Sequence, residues 1–363
     1  MIVYEDLARL NAPFFEDFKK AFNLTLESGW YVLGEQVRSF EAEFASFLGV
    51  QFCSGVASGL DAMVIALKAL DLPPDSEVIV PANTYIATIL AVLQAGLRPV
   101  LVEPELVTYN IDPSKIEAHI TKKTKAILVV HLYGKACEMD PILSLCEKHG
   151  LRLLEDCAQS HGATYKGRLT GSFGDFGCFS FYPTKNLGAL GDAGAIVCNS
   201  EELDQKVRVL RNYGSARKYY NDVVGLNSRL DEIQASFLRV KLKRLNDINK
   251  HKKALAEIYL SRLSDEFIKP CVRDGFSDVF HIFNIRHPRR DELKAFLHAN
   301  GVGAEIHYPV APHRQNAMRA VLNGEYPISE LIHDTTLSLP VSYFHSFDEV
   351  NQVCDIANRF ASS

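Results

Sequence analysis

Short apolar runs alternate with longer amphipathic stretches through the first two-thirds of the chain. Glu77 to Val80, Pro99 to Val102, Ala126 to Val130 and Leu151 to Leu154 are continuous enough in apolar character to be buried strands. Between them, residues Gly59 to Leu70, Thr84 to Ala95, Pro113 to Ile120 and Asp140 to His149 carry helical spacing. Strands and helices alternating in this way predict βαβ units and a mainly parallel sheet covered by helices. Gly177 to Phe181 and Gly194 to Cys198 follow a Gly-rich stretch and are expected as further strands, antiparallel at one end of the sheet. From Arg229 to about Leu263, residues Leu230, Ile233, Phe237, Val240 and Leu245 recur at helical spacing, as one long helix or two in series. The remainder offers a strand candidate at Val279 to Ile285, a helix opening at Arg290 and a C-terminal helix from Asp348 to Phe360. We expect a large domain over residues 1–250 and a smaller α/β domain over 251–363.

Bulk properties narrow the class of protein. A chain of 363 residues, 47% hydrophobic and 23% charged, has room for two cores. The net charge of −5 is spread over interspersed acids and bases, and the short clusters at Lys241 to Arg244 and Lys250 to Lys253 suit a solvated helix face. That pattern argues against nucleic acid as a partner. The eight cysteines are scattered, mostly within apolar runs and never as C-x-x-C. They suit buried free thiols in a reducing cytoplasm better than disulfides or a zinc site, and we expect no metal. The N-terminus carries acids where a signal peptide needs a basic start. The most apolar window, Val78 to Val102, is broken by Pro81, Asn83, Gln94, Arg98 and Pro99, so no membrane span is expected.

Three segments could carry chemistry. In LRLLEDCAQ an apolar strand ends at Glu155-Asp156, which puts a carboxylate at the carboxyl edge of a parallel sheet, where α/β proteins bind ligands. A helix N-cap or a surface turn would place an acid there equally well. In GCFSFYPTKNLG, Lys185 stands among Phe179, Phe181, Tyr182 and Pro183. Desolvation there would lower its pKa, as an imine-forming lysine requires, although a loop lysine is ordinarily a solvated charge. In GVASGLDA, Ser58 and Gly59 fall at a helix start, where free N–H groups attract phosphate or where a serine simply caps the helix. Together the three match what pyridoxal phosphate needs, one partner each for aldehyde, ring nitrogen and phosphate.

With these segments in view, the chain resembles the sugar aminotransferases of the DegT/DnrJ/EryC1/StrS family. The resemblance covers nearly the whole chain. It is carried by ASGLDA (57–62), VPANTYIA (80–87), VVHLYG (129–134), EDCAQSHGA (155–163), GCFSFYPTKNLGALGDAGA (177–195), RNYGS (211–215), NSRLDEIQA (227–235) and IHYP (306–309). It implies the fold-type-I, aspartate aminotransferase-like architecture, with a three-layer α/β/α large domain and a smaller α/β domain.

The resemblance also implies roles. Lys185 matches the Schiff-base lysine and proton carrier, and Asp156 the acid that keeps the pyridine nitrogen protonated. Gln159 fits the partner of the ring's phenolic oxygen, and Tyr85 the aromatic stacked on the cofactor. Ser58, Gly59, Leu60 and Ser180 would hold the phosphate. Family members often carry Thr or Ser where Leu60 stands, so here that side-chain contact is lost. Asn227 matches a phosphate contact from the neighbouring subunit, which implies a homodimer with a shared site. Tyr182, His307 and Tyr308, with Arg217 and Tyr219, are the sugar-nucleotide candidates, whereas His131 and His161 suit satisfied structural histidines. One branch of the family has histidine in place of the lysine and dehydrates sugars, so Lys185 favours transamination. The motifs most resemble aminotransferases that use L-glutamate, released as 2-oxoglutarate, to aminate a dTDP-3-keto-6-deoxyhexose for surface polysaccharide such as O-antigen. Two alternatives stay open: a 4-aminotransferase of a UDP- or dTDP-4-keto sugar, and a non-catalytic cofactor-binding regulator.

Overall fold

The computed structural model describes residues 1–361. Seven strands form the main sheet: β1 (Phe52–Val56), β2 (Glu77–Pro81), β3 (Arg98–Val102), β4 (Thr124–Val130), β5 (Arg152–Asp156), β6 (Phe176–Ser180) and β7 (Gly194–Cys198). Their order is β1-β7-β6-β5-β4-β2-β3. The pairs from β3 across to β6 are parallel, while β7 runs antiparallel to both β6 and β1. The antiparallel end expected from the Gly-rich stretch is therefore present.

Successive side chains of the central strands leave on opposite faces, so both faces need cover. Val78, Val80 and Leu128 pack in one apolar cluster, and their neighbours Ile79, Ile127 and Val129 in another. Helices supply that cover: α1 (Phe15–Ser28), α2 (Glu35–Leu48), α3 (Gly59–Ala69), α4 (Ile86–Gln94), α5 (Met139–His149), α6 (Glu201–Leu210), α7 (Glu232–Leu242) and α8 (Leu245–Arg262). Helices α3 and α4 lie in the first cluster and α5 in the second. A third cluster joins Phe40 and Phe44 of α2 to Phe179, Phe181 and Leu238.

The chain beyond α8 builds its own core around a two-stranded antiparallel ribbon, β8 (Phe283–Arg286) and β9 (Thr336–Leu339), with α9 (Arg290–Ala299) and α10 (Phe347–Ala361). The expected boundary at residue 250 falls inside α8, whose Leu255 and Tyr259 belong to this second core. Ile2 joins the same core and bridges Val302, so the first residues pack with the last third of the chain.

Several expected elements change in detail. The stretch from Arg229 is two helices, α7 and α8, in series. Pro113 to Ile120 divides into a short α-helix and a 3-10 turn. The strand expected from Val279 begins only at Phe283, because Val279 N donates to Gly134 O (2.9 Å) and Ile282 N to Tyr133 O (3.3 Å). Those bonds spend the segment's donors on a loop of the large sheet. Among the described residues, no helix is long and apolar enough to cross a membrane.

Candidate active site

The carboxyl ends of β4, β5 and β6 meet the start of α3 at a cavity of about 950 Å³. Asp156 ends β5, buried at 6% exposure. Its Oδ2 accepts from Thr88 Oγ1 (2.8 Å) and its Oδ1 from Ala158 N (3.1 Å), which fixes the carboxyl plane. Burial raises its pKa, partly offset by those bonds and by Lys185. A carboxylate in that state gains strongly from a cationic donor placed in the cavity.

Lys185 sits in a tight turn after β6, its N–H bonded to Tyr182 O (2.8 Å) and Ala189 N to Phe181 O (2.8 Å). Gly188 is required there, since a Cβ would lie 2.3 Å from Pro183 O. Desolvation brings the Lys185 ammonium down to about 8, with Asp156 pulling the other way. The ε-amine is thus available as a nucleophile and base near neutral pH. Its Nζ lies 3.4 Å from Nε2 of His281.

Helix α3 opens at Ser58, whose Oγ accepts from Asp61 N (3.1 Å). The first backbone bond of the helix is Ala62 N to Ser58 O (3.0 Å), which leaves the Gly59 and Leu60 N–H groups ahead of it. Gly59 packs flush on β6, where a Cβ would come 2.6 Å from Ser180 Cβ. Ser180 Oγ meanwhile stands 3.4 Å from Tyr182 N. A helix N-terminus, two N–H groups ahead of the helix's first bond and serine hydroxyls side by side could hold a phosphate.

Gln159 ties the cavity to the second core. Its Oε1 accepts from Tyr133 N (2.6 Å) and its Nε2 donates to Tyr308 Oη (2.9 Å). The Tyr308 ring lies 5.0 Å from that of Tyr85. Tyr133 Oη donates to His307 O, while His307 Nδ1 pairs with Ser338 Oγ (3.0 Å). Burial, with Lys185 nearby, takes His307 down to about 4, so its ring is neutral.

The cavity thus gathers Ser58, Gly59, Leu60, Tyr85, Asp156, Gln159, Ser180, Tyr182, Lys185, His307 and Tyr308. It does not gather Asn227, Arg217 or Tyr219. Asn227 bridges Asn212, Arg217 bridges Tyr220, and Tyr219 is 86% exposed. His131 is satisfied as expected, accepting from Cys137 N (3.0 Å) and meeting Glu155 Oε2 at 2.9 Å. The Glu155 carboxylate also takes three backbone N–H groups, of Gly171, Phe173 and Gly174. His131, Glu155 and Cys157 stand close enough to ligate a metal, but these bonds already occupy the carboxylate. His161, expected to be satisfied like His131, instead packs against Phe179 and Phe181 with both ring nitrogens buried and unpartnered among the described residues. Local sequence carries no sign of Thr88 or His281: the first reads as part of an apolar helix and the second as a strand residue.

A desolvated lysine, a buried acid and a helix N-terminus around one cavity could together receive an aldehyde cofactor with a ring nitrogen and a phosphate. Residues 14–358 match the model of the DegT/DnrJ/EryC1/StrS aminotransferase family, and the chain belongs to that family. Aminotransferases of this family use pyridoxal phosphate. The chain is 48% identical to the dTDP-3-amino-3,6-dideoxy-alpha-D-galactopyranose transaminase of Aneurinibacillus thermoaerophilus, over 99% of both chains. It is 43% identical to the UDP-N-acetyl-3-dehydro-alpha-D-glucosamine 3-aminotransferase of Acidithiobacillus ferrooxidans, over 98% of this chain and 96% of that one. DesV of S. venezuelae, solved in complex with a ketimine intermediate, superposes with a TM-score of 0.98 at 40% identity, covering 100% of this chain and 99% of that one. The fold is that of the pyridoxal-phosphate aminotransferases, type I.

Proposed function

We propose that this protein is a cytoplasmic, homodimeric aminotransferase that moves an amino group from L-glutamate to C3 of a dTDP-linked 3-keto-6-deoxyhexose. The product would be a dTDP-3-amino-3,6-dideoxyhexose for surface polysaccharide such as O-antigen. The observation that carries the reaction class is Lys185, half-buried beside Asp156 in one cavity with a phosphate cradle. The sugar assignment rests on the 48% identity to a relative named for that product. Both curated relatives described above are named for amination at position 3, one on a dTDP and one on a UDP sugar.

Bound pyridoxal phosphate supplies an aldehyde that captures amines and a ring that takes up the electrons of a breaking C–H bond. The chain's residues do the rest. Asp156, locked by Thr88 and Ala158, would hold a proton on the ring nitrogen. Ser58, Ser180 and the Gly59 and Leu60 N–H groups would hold the phosphate. Gln159, fixed by Tyr133 and Tyr308, would hold the ring's phenolic oxygen. The Lys185 amine, neutral above about 8, takes a proton from one carbon and returns it to another. Tyr182, His307 and Tyr308 line the same cavity and would contact the sugar nucleotide.

The dimer reading draws on the segment from Tyr213 to Asn227. It carries Tyr213, Tyr219, Tyr220, Val223 and Val224 exposed, the last at 95%, an apolar surface that suits a second copy. Asn227, with Arg217 and Tyr219, would then reach the partner's cavity. Incubation with L-glutamate and each of the dTDP- and UDP-linked 3-keto and 4-keto sugars, followed by mass and NMR analysis, tests the assignment. Amination of the dTDP-3-keto sugar at C3 supports it, and turnover confined to a 4-keto or UDP sugar refutes it.

A further inference from the structure

Among the described residues, His281 is the one side chain within hydrogen-bond reach of the Lys185 amine that the proposed function leaves without a task. Its Nε2 lies 3.4 Å from Lys185 Nζ, on the cavity wall. The segment is fixed from behind. Val279 N donates to Gly134 O (2.9 Å), Ile282 N to Tyr133 O (3.3 Å), and Lys252 Nζ to the carbonyl of His281 itself (3.2 Å). Its Nδ1 is buried without a hydrogen-bond partner among the described residues, so the ring can carry its proton there and leave Nε2 as an acceptor.

The groups facing this ring are Lys185 and Lys252, which are cations when protonated, and the imidazoles of His307 and His161. Burial and those two lysines push the ring well below its usual range, so it stays neutral. Asp156 faces Lys185 from β5. A neutral imidazole whose proton sits on Nδ1 presents a lone pair at Nε2 and can only accept from the lysine. In the proposed reaction the incoming amino group would displace the lysine amine from the cofactor carbon, and the freed amine would then act on a proton at another carbon. During that interval it needs a partner that does not consume its own lone pair.

We propose that His281 is that partner: a positioning residue whose Nε2 accepts one N–H of the released Lys185 amine, leaving the amine lone pair turned into the cavity. This rests on Lys185 being the cofactor lysine, as proposed above. No bond to carbon forms or breaks at His281, and no proton is transferred to it. Lys185 alone carries the proton.

The test compares full-length parent, His281→Gln and His281→Phe. Glutamine offers an amide oxygen near the Nε2 position, and phenylalanine fills the space with no acceptor. Borohydride reduction followed by peptide mass analysis first shows whether the cofactor is trapped on Lys185. Stopped-flow decay of the cofactor absorbance on mixing with L-glutamate then gives the half-reaction rate. In the apo-protein, the pH dependence of Lys185 labelling by an amine reagent gives its titration. We expect trapping on Lys185 in all three proteins. The half-reaction should slow roughly tenfold or more in the Phe variant, the worth of one hydrogen bond, and recover substantially in the Gln variant. The Lys185 titration should move downward in the Phe variant, because the ammonium loses an acceptor, and return in the Gln variant. Equal rates and superimposable titrations in parent and Phe variant overturn the His281 role and leave the lysine assignment standing. Equal losses in the Gln and Phe variants also overturn it, since packing alone would then explain them. Failure to trap cofactor on Lys185 in the parent overturns the functional reading itself, and this proposal with it.

Discussion

Replacing Gly59 with alanine isolates the phosphate cradle from the rest of the site. The added Cβ would stand 2.6 Å from Ser180 Cβ and 3.1 Å from Ser180 Cα, where carbon atoms ordinarily keep about 3.5 to 4 Å. The backbone of β6 cannot yield, because Ser180 pairs with Gly194 in the sheet. The start of α3 must therefore move outward by roughly 1 Å, carrying the Gly59 and Leu60 N–H groups away from the Ser180 hydroxyl. Overpacking of this kind costs about 1 to 3 kcal/mol of stability. Misplacing one charge-assisted hydrogen bond to the phosphate costs about 1.5 to 3 kcal/mol of binding, or roughly 10- to 150-fold in affinity. Absorbance titration of the apo-protein with pyridoxal phosphate measures the second effect, and parallel titration with pyridoxal, which lacks the phosphate, supplies the control. The variant should lose affinity for pyridoxal phosphate while its affinity for pyridoxal stays within about threefold of the parent. Equal losses for both ligands, or no loss for either, would refute the placement of the phosphate at α3.

Lys185→Ala should abolish turnover and the absorbance of the bound cofactor near neutral pH, and retention of both would disprove its role. Asp156→Ala should lower kcat/KM by roughly a hundredfold or more, about 3 kcal/mol of transition-state stabilisation, and turnover within a few-fold of the parent would contradict the ring-nitrogen pairing. Burial lowers Lys241 to about 8, so the folded chain carries fewer protons than the unfolded chain between about pH 8 and the ordinary lysine value of 10.5. Its penalty is full below that window and is relieved as pH rises through it. Urea unfolding of the apo-protein should therefore show a rising Lys241 contribution of at most about 1.4 kcal/mol per pH unit, which Lys241→Met removes. An unchanged pH slope in that variant would show that the amine is not held out of water.

The strands that carry the site were legible because parallel strands are buried on both faces and leave uninterrupted apolar runs, as in β2, β4 and β5. Their ends then marked the sheet edge at which Asp156 stands. Strand β1, FCSGV, carries no continuous apolar signal because Ser54 and Gly55 break its run. It holds its place by pairing with β7, and its Gly55 leaves room for Leu230, whose Cβ would come 2.7 Å from an added methyl. Helices α1 and α2 lie outside the alternating strand–helix pattern, although Phe40 and Phe44 recur one turn apart. Thr88 and His281 were invisible for a different reason. Each reaches its partner from far along the chain, Thr88 to Asp156 and His281 to Lys185, and no local spacing records such a meeting.

The opening residues have a practical consequence for anyone preparing this enzyme. Ile2 is pinned beside Val302, and Met1, Tyr4 and Glu5 contribute to the cavity wall. A purification tag fused ahead of Met1 would therefore begin at the wall of that same chamber. Kinetic constants should be taken on protein from which such an extension has been cleaved.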